Sequence, residues 1–282
     1  MVDTRRDFTG RVAIITGGTT GIGLAVARAV VRAGGSVAIA GRNGDRGAAA
    51  AALAAAGTGR ALFVRTDVSR GGDVEALFRR TIDVYGGVDF LFNNAGVEHR
   101  TDAAGAPAGD GDVDGALDDL LGINVKGLLL CLDAAMTRFA AQRRGVIVNT
   151  AASIGTTLPC ARAIAFGATK AAVLSVTRAA AAHLTGHHVS VFAVCPWITD
   201  TPMIDRLSNH DPAAKARLAA LNPSGRIVQP GEIAAVVLAM FSGALGLESG
   251  EAVLVDSGGV LQTIAAMRPG PVLRFSEASW SH

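Results

Sequence analysis

Short apolar segments alternate along the chain with longer segments that have the period of an α-helix. Seven of the short segments are almost continuously apolar, which is typical of parallel strands that are buried on both faces of a sheet. These predicted strands are residues 12–16, 36–40, 61–64, 89–92, 146–150, 189–194 and 252–255. The predicted helices are residues 22–33, 46–56, 73–85, 117–141, 166–184 and 232–241. Their alternation over the whole chain predicts an α/β fold with one doubly wound sheet in a single domain.

Two segments do not follow this alternation. Residues 101–115 are rich in glycine, aspartate and alanine, so we predict a surface loop there. Residues 267–282 follow the last predicted strand and contain two prolines, so we predict a C-terminal tail. Residues 1–266 then form the folded domain.

The composition is that of a globular protein, since 50% of the residues are hydrophobic and 18% are charged. A formal net charge of +2 gives no indication of a nucleic-acid-binding surface. No uninterrupted apolar run approaches the roughly 18–20 residues of a membrane span, and residues 1–8 lack the apolar core of a signal peptide. Cys131, Cys160 and Cys195 are too widely spaced for a metal-ligand set. We therefore expect a cytoplasmic protein with reduced thiols and without a metal site, nucleic-acid partner or membrane anchor.

A glycine-rich segment, TGGTTGIG from Thr16 to Gly23, joins the first predicted strand to the first predicted helix. Glycines at such a junction let the backbone approach a pyrophosphate, which the N–H groups at the start of the helix then bind. The strand before the segment and the helix after it distinguish it from an ordinary glycine-rich turn. We therefore predict dinucleotide binding by Gly17, Thr19, Thr20, Gly21, Ile22 and Gly23.

The end of the second predicted strand bears on the choice of dinucleotide. An acidic residue there would bind the ribose 2′-hydroxyl group of NAD, whereas an arginine accommodates the 2′-phosphate of NADP. The acid is absent, Arg42 is present and Arg46 follows a turn later. We therefore predict a preference for NADP(H), with NAD(H) as the alternative. An ordinary solvated arginine is the other interpretation of Arg42.

Several further motifs occur in a fixed order along the chain. They are Asp67-Val68, the NNAG segment at residues 93–96, Asn124, residues 196–201 and residues 255–259. Together with the glycine segment, which matches TGxxxGIG, they make residues 10–259 resemble the short-chain dehydrogenase/reductase family. The resemblance implies a Rossmann-type, seven-stranded parallel sheet flanked by helices, a homotetramer or homodimer, and hydride transfer between a nicotinamide ring and a carbonyl or alcohol. The further cofactor-binding residues that it implies are Asp67, Val68, Asn94, Ala95, Gly96, Lys170, Pro196, Thr199 and Thr201.

The catalytic centre of that family consists of a serine, a tyrosine and a lysine, and this chain departs from it at the tyrosine. The family's YxxxK motif corresponds to Phe166 and Lys170, whose four-residue spacing places both on one helix face. Phenylalanine cannot transfer a proton, and the single tyrosine of the chain, Tyr85, lies in an earlier predicted helix. General acid–base catalysis is worth roughly 10²–10⁴ in rate. We therefore expect hydride transfer to be slow and cofactor binding to survive.

The resemblance also assigns roles to the other catalytic residues. Lys170 would bind the nicotinamide ribose and relay protons, and Asn124 would hold the water that links Lys170 to solvent. Ser153 would polarise the substrate oxygen. It lies thirteen residues before Phe166, whereas a count from the preceding strand places the serine position at Ala152. We prefer Ser153 because it carries a hydroxyl group, and a turn serine bonded to its own backbone is the other interpretation.

Two further features bear on the substrate. Trp197 stands where the family usually has glycine and would narrow the pocket or stack on an aromatic substrate, although a partly buried packing residue explains it equally well. Glu98 and His99 follow the NNAG segment, and either could replace the missing acid, although a solvated loop pair is the simpler interpretation. Apolar residues within residues 202–221 favour a hydrophobic or aromatic small-molecule substrate.

Two explanations for the presence of Phe166, and two functions of the chain, are compatible with the sequence. A deliberate replacement of tyrosine in an ordinary enzyme would explain the intact lysine and asparagine, whereas natural divergence would explain Trp197 and the offset of the serine. The chain is then either an NADP(H)-dependent oxidoreductase with an impaired or atypical mechanism, non-redox chemistry included, or a non-catalytic NADP(H)-binding module.

Overall fold

The computed structural model describes residues 7–54, 57–98, 113–153, 163–220, 222 and 224–256. Within them, seven strands form one parallel sheet in the order β3-β2-β1-β4-β5-β6-β7. The strands are β1 (Val12–Thr16), β2 (Ser36–Gly41), β3 (Arg60–Arg65), β4 (Phe90–Asn93), β5 (Gly145–Thr150), β6 (Val189–Pro196) and β7 (Ala252–Val255). Every predicted strand is present, and its ends agree with the prediction to within two residues. The predicted Rossmann-type parallel sheet is therefore confirmed.

Helices cover both faces of this sheet. In the described part of the chain they are α1 (Gly21–Arg32), α2 (Gly44–Ala54), α3 (Gly71–Tyr85), α4 (Val113–Leu121), α5 (Leu128–Gln142), α6 (Ile164–His183), α7 (Pro202–Leu207), α8 (Pro212–Ala220) and α9 (Pro230–Phe241). Val30 of α1 and Val237 of α9 are buried on one face, and Phe78 of α3 and Phe139 of α5 are buried on the other. Burial on both faces explains why the strands are almost continuously apolar.

The predicted helix at residues 117–141 is longer than expected and is interrupted. Helix α4 begins at Val113, so the last residues of the predicted loop 101–115 are helical. Asp114 in its first turn favours this start, because a carboxylate stabilises the N-terminal end of a helix. A π-helical turn, Gly122–Gly127, then separates α4 from α5. The rest of that loop and the predicted tail lie outside the described residues.

The helical stretch Asp114–Gln142 is, by length and composition alone, long and apolar enough to cross a membrane. Its α5 part buries Cys131, Leu132 and Phe139 in the core between the helices and the sheet. Core helices of this kind meet the same criterion. The stretch therefore carries no argument for a membrane.

The arrangement of the strands fixes where a ligand can bind. The chain runs outward in one direction from β1 through β2 to β3, and then returns to the other side of β1 to form β4. The carboxyl ends of β1 and β4 therefore border a crevice that no crossover helix covers. In open α/β sheets, ligands bind at this point.

Candidate functional site

A cleft of about 380 Å³ opens at the carboxyl ends of β1, β2, β4, β5 and β6. Its volume falls in the range of small-molecule binding sites. Of the predicted site residues that the structure describes, all but Gly23 and Asn124 line this cleft. The predicted residues that line it are Gly17, Thr19, Thr20, Gly21, Ile22, Arg42, Asp67, Val68, Asn94, Ala95, Gly96, Glu98, Ser153, Phe166, Lys170, Pro196, Trp197, Thr199 and Thr201.

The glycine segment allows the start of α1 to pack closely against the end of β1. Gly17 has a φ of 62°, a left-handed conformation that favours glycine. Gly23 does not line the cleft, but a Cβ atom there would collide with the carbonyl oxygen of Gly17 and lie 2.9 Å from Nδ2 of Asn94. Gly23 therefore keeps the start of the helix beside the strand end.

The N-terminus of α1 is suited to an anion. Thr20 is the N-cap residue but makes no side-chain capping bond, and the first turn contains no acidic residue. The positive end of the helix dipole therefore has neither a capping side chain nor a first-turn carboxylate where Thr20 and Gly21 line the cleft. Backbone N–H groups in this position can bind a pyrophosphate.

A hydrogen-bonded junction that we did not predict joins the ends of β1 and β4. The Thr16 hydroxyl oxygen accepts hydrogen bonds from the backbone N–H groups of Asn94 (2.9 Å) and Ala95 (3.0 Å). The side-chain amide of Asn94 donates in return to the carbonyl oxygen of Thr16 at 3.0 Å. A threonine directly before the glycines is the only sequence signal for this contact, because its partners are 78 and 79 residues away.

Asn124 lies in the π-helical turn and has polar partners on both sides of its side-chain amide. Its Oδ1 accepts a hydrogen bond from the N–H of Val97 at 2.8 Å, and its Nδ2 donates to the carbonyl oxygen of Val97 at 2.9 Å. Nδ2 also lies 3.2 Å from the hydroxyl of Thr169 on α6. Asn124 therefore holds the segment after β4 against α6, whereas its predicted water-binding role stays a prediction.

Helix α6 presents Phe166 and Lys170 to the cleft, as their spacing predicted. Nζ of Lys170 donates a hydrogen bond to the carbonyl oxygen of Thr150 at 2.9 Å and lies 5.5 Å from the centre of the Phe166 ring. Burial lowers the pKa of Lys170 to about 8, and the charge of Glu98 opposes this shift. Phe166 is also buried, with Leu120 and Ala163 packed around it. The lysine can thus exchange a proton near neutral pH, and its aromatic neighbour cannot.

Ser153 and the alternative position Ala152 both lie at the cleft. Ser153 is 3% exposed, and its backbone N–H donates to the carbonyl oxygen of Pro196 at 3.0 Å. This bond connects the segment after β5 to the end of β6. Between the two positions, Ser153 alone brings a hydroxyl group to the same cleft as Lys170.

Positive charge lies where the end of β2 borders the cleft. Arg42 and Arg46 are exposed and line it.

The carboxylate of Asp67 accepts hydrogen bonds from the N–H (3.0 Å) and hydroxyl (2.7 Å) of Ser69. Partial burial raises the pKa of Asp67, but these bonds and the charges of Arg42 and Arg70 outweigh it and hold the pKa below its ordinary value. Asp67 is therefore a carboxylate at neutral pH.

Trp197 is a partly buried packing residue, as one of its two interpretations has it, whereas Glu98 differs from its simpler interpretation. Trp197 packs against two clusters of the core and also lines the cleft, and its Nε1 is buried without a partner among the described residues. Glu98 is partly buried rather than solvated, and burial raises its pKa to about 7 against the attraction of Lys170. His99 lies outside the described residues.

In the described part of the chain, no group of three or more His, Cys, Asp or Glu side chains could hold a metal ion.

Comparison with known proteins places the chain among oxidoreductases. A family model described as enoyl-(acyl carrier protein) reductase matches residues 17–259. A 2,5-dichloro-2,5-cyclohexadiene-1,4-diol dehydrogenase of Sphingobium indicum is 33% identical over 253 residues, which are 89% of this chain and 98% of the relative. The chain belongs to the short-chain dehydrogenase/reductase family. A cis-4-hydroxycyclohexanecarboxylate dehydrogenase of Sinomonas cyclohexanicum is 35% identical over 252 residues, 89% of this chain and 97% of the relative.

Solved structures of short-chain dehydrogenases/reductases agree in fold. The structure of levodione reductase has a TM-score of 0.82 and 28% identity, with 90% of this chain and 99% of that chain covered. The structure of a 3-ketoacyl-(acyl-carrier-protein) reductase from Brucella melitensis has a TM-score of 0.79 and 28% identity, with 89% and 99% covered. That protein was solved in complex with NADH. The family binds nicotinamide cofactors, and the uncapped N-terminus of α1 beside Gly17 and Gly23 fits the pyrophosphate of such a cofactor.

Proposed function

We propose that the protein is an NADP(H)-dependent oxidoreductase that interconverts a carbonyl and an alcohol on a small cyclic or aromatic molecule. One observation carries this proposal. A single cleft brings the anion-binding end of α1 together with Ser153 and Lys170, while Phe166 occupies the position of the usual proton donor. The cleft thus contains a binding site for the cofactor pyrophosphate, the hydroxyl group of Ser153 and the titratable amine of Lys170.

The preference for NADP(H) rests on charge. Arg42 and Arg46 line the cleft where the ribose of the adenosine half would lie, and no acidic residue ends β2. An arginine can bind a 2′-phosphate through two parallel charge-assisted hydrogen bonds, which a hydroxyl group does not offer. NAD(H) is the alternative, and the NADH complex of one solved relative supports it.

The mechanism divides the reaction between the cofactor and this chain. The bound nicotinamide would supply or accept the hydride. The hydroxyl of Ser153 would donate a hydrogen bond to the substrate oxygen, where negative charge develops. Lys170, with a pKa of about 8, would bind the nicotinamide ribose and hold an exchangeable proton. Phe166 gives no proton, so a general acid worth roughly 10²–10⁴ in rate is missing from its usual place.

The substrate side of the cleft is largely apolar. Phe166, Trp197, Met203 and Ile204 line it, the last two from helix α7. The relatives named above act on chlorinated cyclohexadiene diols and hydroxycyclohexanecarboxylate, and a further relative from Comamonas testosteroni is a 4-formylbenzenesulfonate dehydrogenase. These observations support a substrate built on a six-membered ring.

An activity assay tests the proposed function. We would follow NADPH consumption and NADP⁺ reduction with cyclic and aromatic ketones and alcohols, for the protein and for its Phe166→Tyr variant. Phe166→Leu is the matched control, because it changes the same side chain without adding a phenol. We expect a gain in the tyrosine variant alone. It should be about 100-fold or more if no other group supplies the proton, and less than about tenfold if another group in the cleft already does. Absence of turnover by every variant, together with absence of dinucleotide binding, would refute the proposed function.

A non-catalytic NADP(H)-binding module is the second candidate, and Phe166 is the observation that favours it. The presence of Lys170 and Ser153 in the cleft speaks against it, since a pure sensor needs no proton relay. Dinucleotide binding without turnover, even in the Phe166→Tyr variant, would favour the module. A partner protein captured only in the presence of NADPH would support it further.

We also infer a homodimer or homotetramer in the cytoplasm, without a nucleic-acid or membrane partner. Leu121 and Leu129, before and after the π-helical turn, and Ile164 at the start of α6 are large apolar residues exposed in the single chain, which a subunit contact would cover. Cys131 and Cys195 are free, buried thiols, as suits a reducing compartment. Light scattering of the purified protein at several concentrations tests the assembly, and a monomer throughout would refute it.

A further inference from the structure

The segment that follows β4 brings a carboxyl group to the part of the cleft that lacks a phenol. Glu98 lines the same cleft as Phe166, Ser153 and Lys170. We propose that Glu98 is the general acid and base of this protein, in place of the tyrosine that Phe166 replaces. This inference rests on the proposed function, since it needs a carbonyl or alcohol in the cleft.

The backbone that carries Glu98 is held firmly. The preceding residue, Val97, is bound through both its N–H (2.8 Å) and its carbonyl oxygen (2.9 Å) to the side chain of Asn124, which is 1% exposed. Asn124 is in turn bonded to Thr169 on α6, the helix that carries Phe166 and Lys170. The backbone directly before Glu98 is thus held against α6 by buried hydrogen bonds, and the Glu98 side chain lines the cleft from there.

The amine of Lys170 lies close to the same segment. A Cβ atom added to Gly96 would lie 3.4 Å from Nζ of Lys170, an ordinary contact distance, so the amine lies directly beside this segment. Lys170 is the charged group that acts on Glu98, and Glu98 and the thiol of Cys195 are the groups that act on Lys170. Burial raises the pKa of Cys195 to about 12, so its thiol is neutral. Asp67, Arg42, Arg46 and Arg206 also line the cleft, but the groups whose charges act on one another beside Phe166 are Glu98 and Lys170.

Their protonation suits proton transfer near neutral pH. Burial raises the pKa of Glu98 to about 7, and Lys170 opposes this. Near pH 7, a large fraction of the protein therefore carries a protonated Glu98 beside a cationic Lys170. A general acid is most effective when its pKa lies close to the working pH.

The proton and electron pairs balance in this scheme. During reduction, bound NADPH would supply a hydride to the carbonyl carbon and become NADP⁺, and the π pair of the C=O bond moves onto oxygen. The O–H bond of the Glu98 carboxyl group breaks, and its proton bonds to that oxygen to give the alcohol. The carboxylate that remains faces the Lys170 ammonium group and regains a proton from solvent. Oxidation runs through the same steps in reverse.

Four proteins test the proposal: the unmodified chain, Glu98→Gln, Phe166→Tyr and the double variant. We expect Glu98→Gln to lower kcat about 100-fold or more in the unmodified chain, the worth of a general acid. In the Phe166→Tyr background, where the phenol can donate the proton, the same change should lower kcat less than about tenfold. Glu75→Gln is the control, because Glu75 is a half-exposed glutamate on α3 that pairs with Arg138 away from the cleft.

Two measurements besides kcat separate a catalytic role from a structural one. The rate of reduction by the unmodified chain should fall above about pH 7, and Glu98→Gln should remove this dependence. NADPH affinity, measured by calorimetry, should be equal in the four proteins. Equal losses of kcat in both backgrounds, or an unchanged pH profile, would overturn the proposal and leave the proposed function standing. NADPH binding without turnover by any of the four would overturn both.

Discussion

Replacement of Glu98 by glutamine should stabilise the folded protein at pH 8 and change its stability little at pH 5. The ordinary pKa of this carboxyl group is 4.5, and burial raises it to about 7 in the folded protein. Between these values the folded state retains a proton that the unfolded chain has lost. The free energy of unfolding therefore falls as the pH rises from about 4.5 to about 7.

The magnitude follows from the two pKa values. A difference of one pKa unit corresponds to about 1.4 kcal/mol in the free energy of unfolding. The interval from 4.5 to about 7 therefore lowers the free energy of unfolding by about 3 kcal/mol above pH 7, and by less than about 1 kcal/mol at pH 5. The attraction to Lys170 is already included in the raised pKa, because Lys170 lowers the pKa of Glu98 while burial raises it. Glutamine keeps the shape of the side chain and removes the ionisation, so the variant should recover this free energy.

Urea unfolding followed by circular dichroism at pH 5 and pH 8 measures the effect. One fixed protein concentration is needed, because subunit association makes apparent stability depend on concentration. Glu75→Gln is again the control, and its effect on the free energy of unfolding should be the same at the two pH values to within about 0.5 kcal/mol. An equal effect of Glu98→Gln at both pH values would show that Glu98 ionises normally, which would refute the reasoning.

Two further predictions concern the positions that shape the cleft. Thr16→Val leaves the backbone N–H groups of Asn94 and Ala95 without their acceptor, so urea unfolding should show a loss of about 2–4 kcal/mol. Gly23→Ala places a Cβ atom against the carbonyl oxygen of Gly17, so calorimetry should show NADPH affinity reduced about tenfold or more, because the end of α1 must move. Gly44→Ala is its control, since a Cβ atom there meets nothing within 4 Å, and an equal loss in both variants would contradict the role of Gly23.

The fold was predictable because its signals are local. The strands are continuous apolar runs between helical segments, so all seven were placed to within two residues. The π-helical turn was not predicted, and Asn124 within it bonds to Val97, 27 residues earlier in the chain. No periodicity in the sequence carries that information.

Part of the candidate site was also predictable from local sequence signals, and part was not. Residues directly after strand ends, such as Gly17 and Asn94, were placed because the carboxyl ends of parallel strands meet at one edge of the sheet. The environment of Glu98 was not evident from the sequence, which is equally compatible with a solvated loop. Its place in the cleft beside Lys170 of α6 follows from the fold, because the two residues are distant in the chain.

Parallel calorimetric titrations with NADPH and NADH test the central claim, that the cleft binds a nicotinamide dinucleotide and prefers the phosphorylated form. We expect both to bind to the unmodified chain, with NADPH bound about tenfold or more tightly, since a charge-assisted hydrogen bond contributes about 1.5–3 kcal/mol. Arg42→Asp should abolish this preference and leave NADH binding in place. If neither NADPH nor NADH binds at about 1 mM, the result would contradict the account.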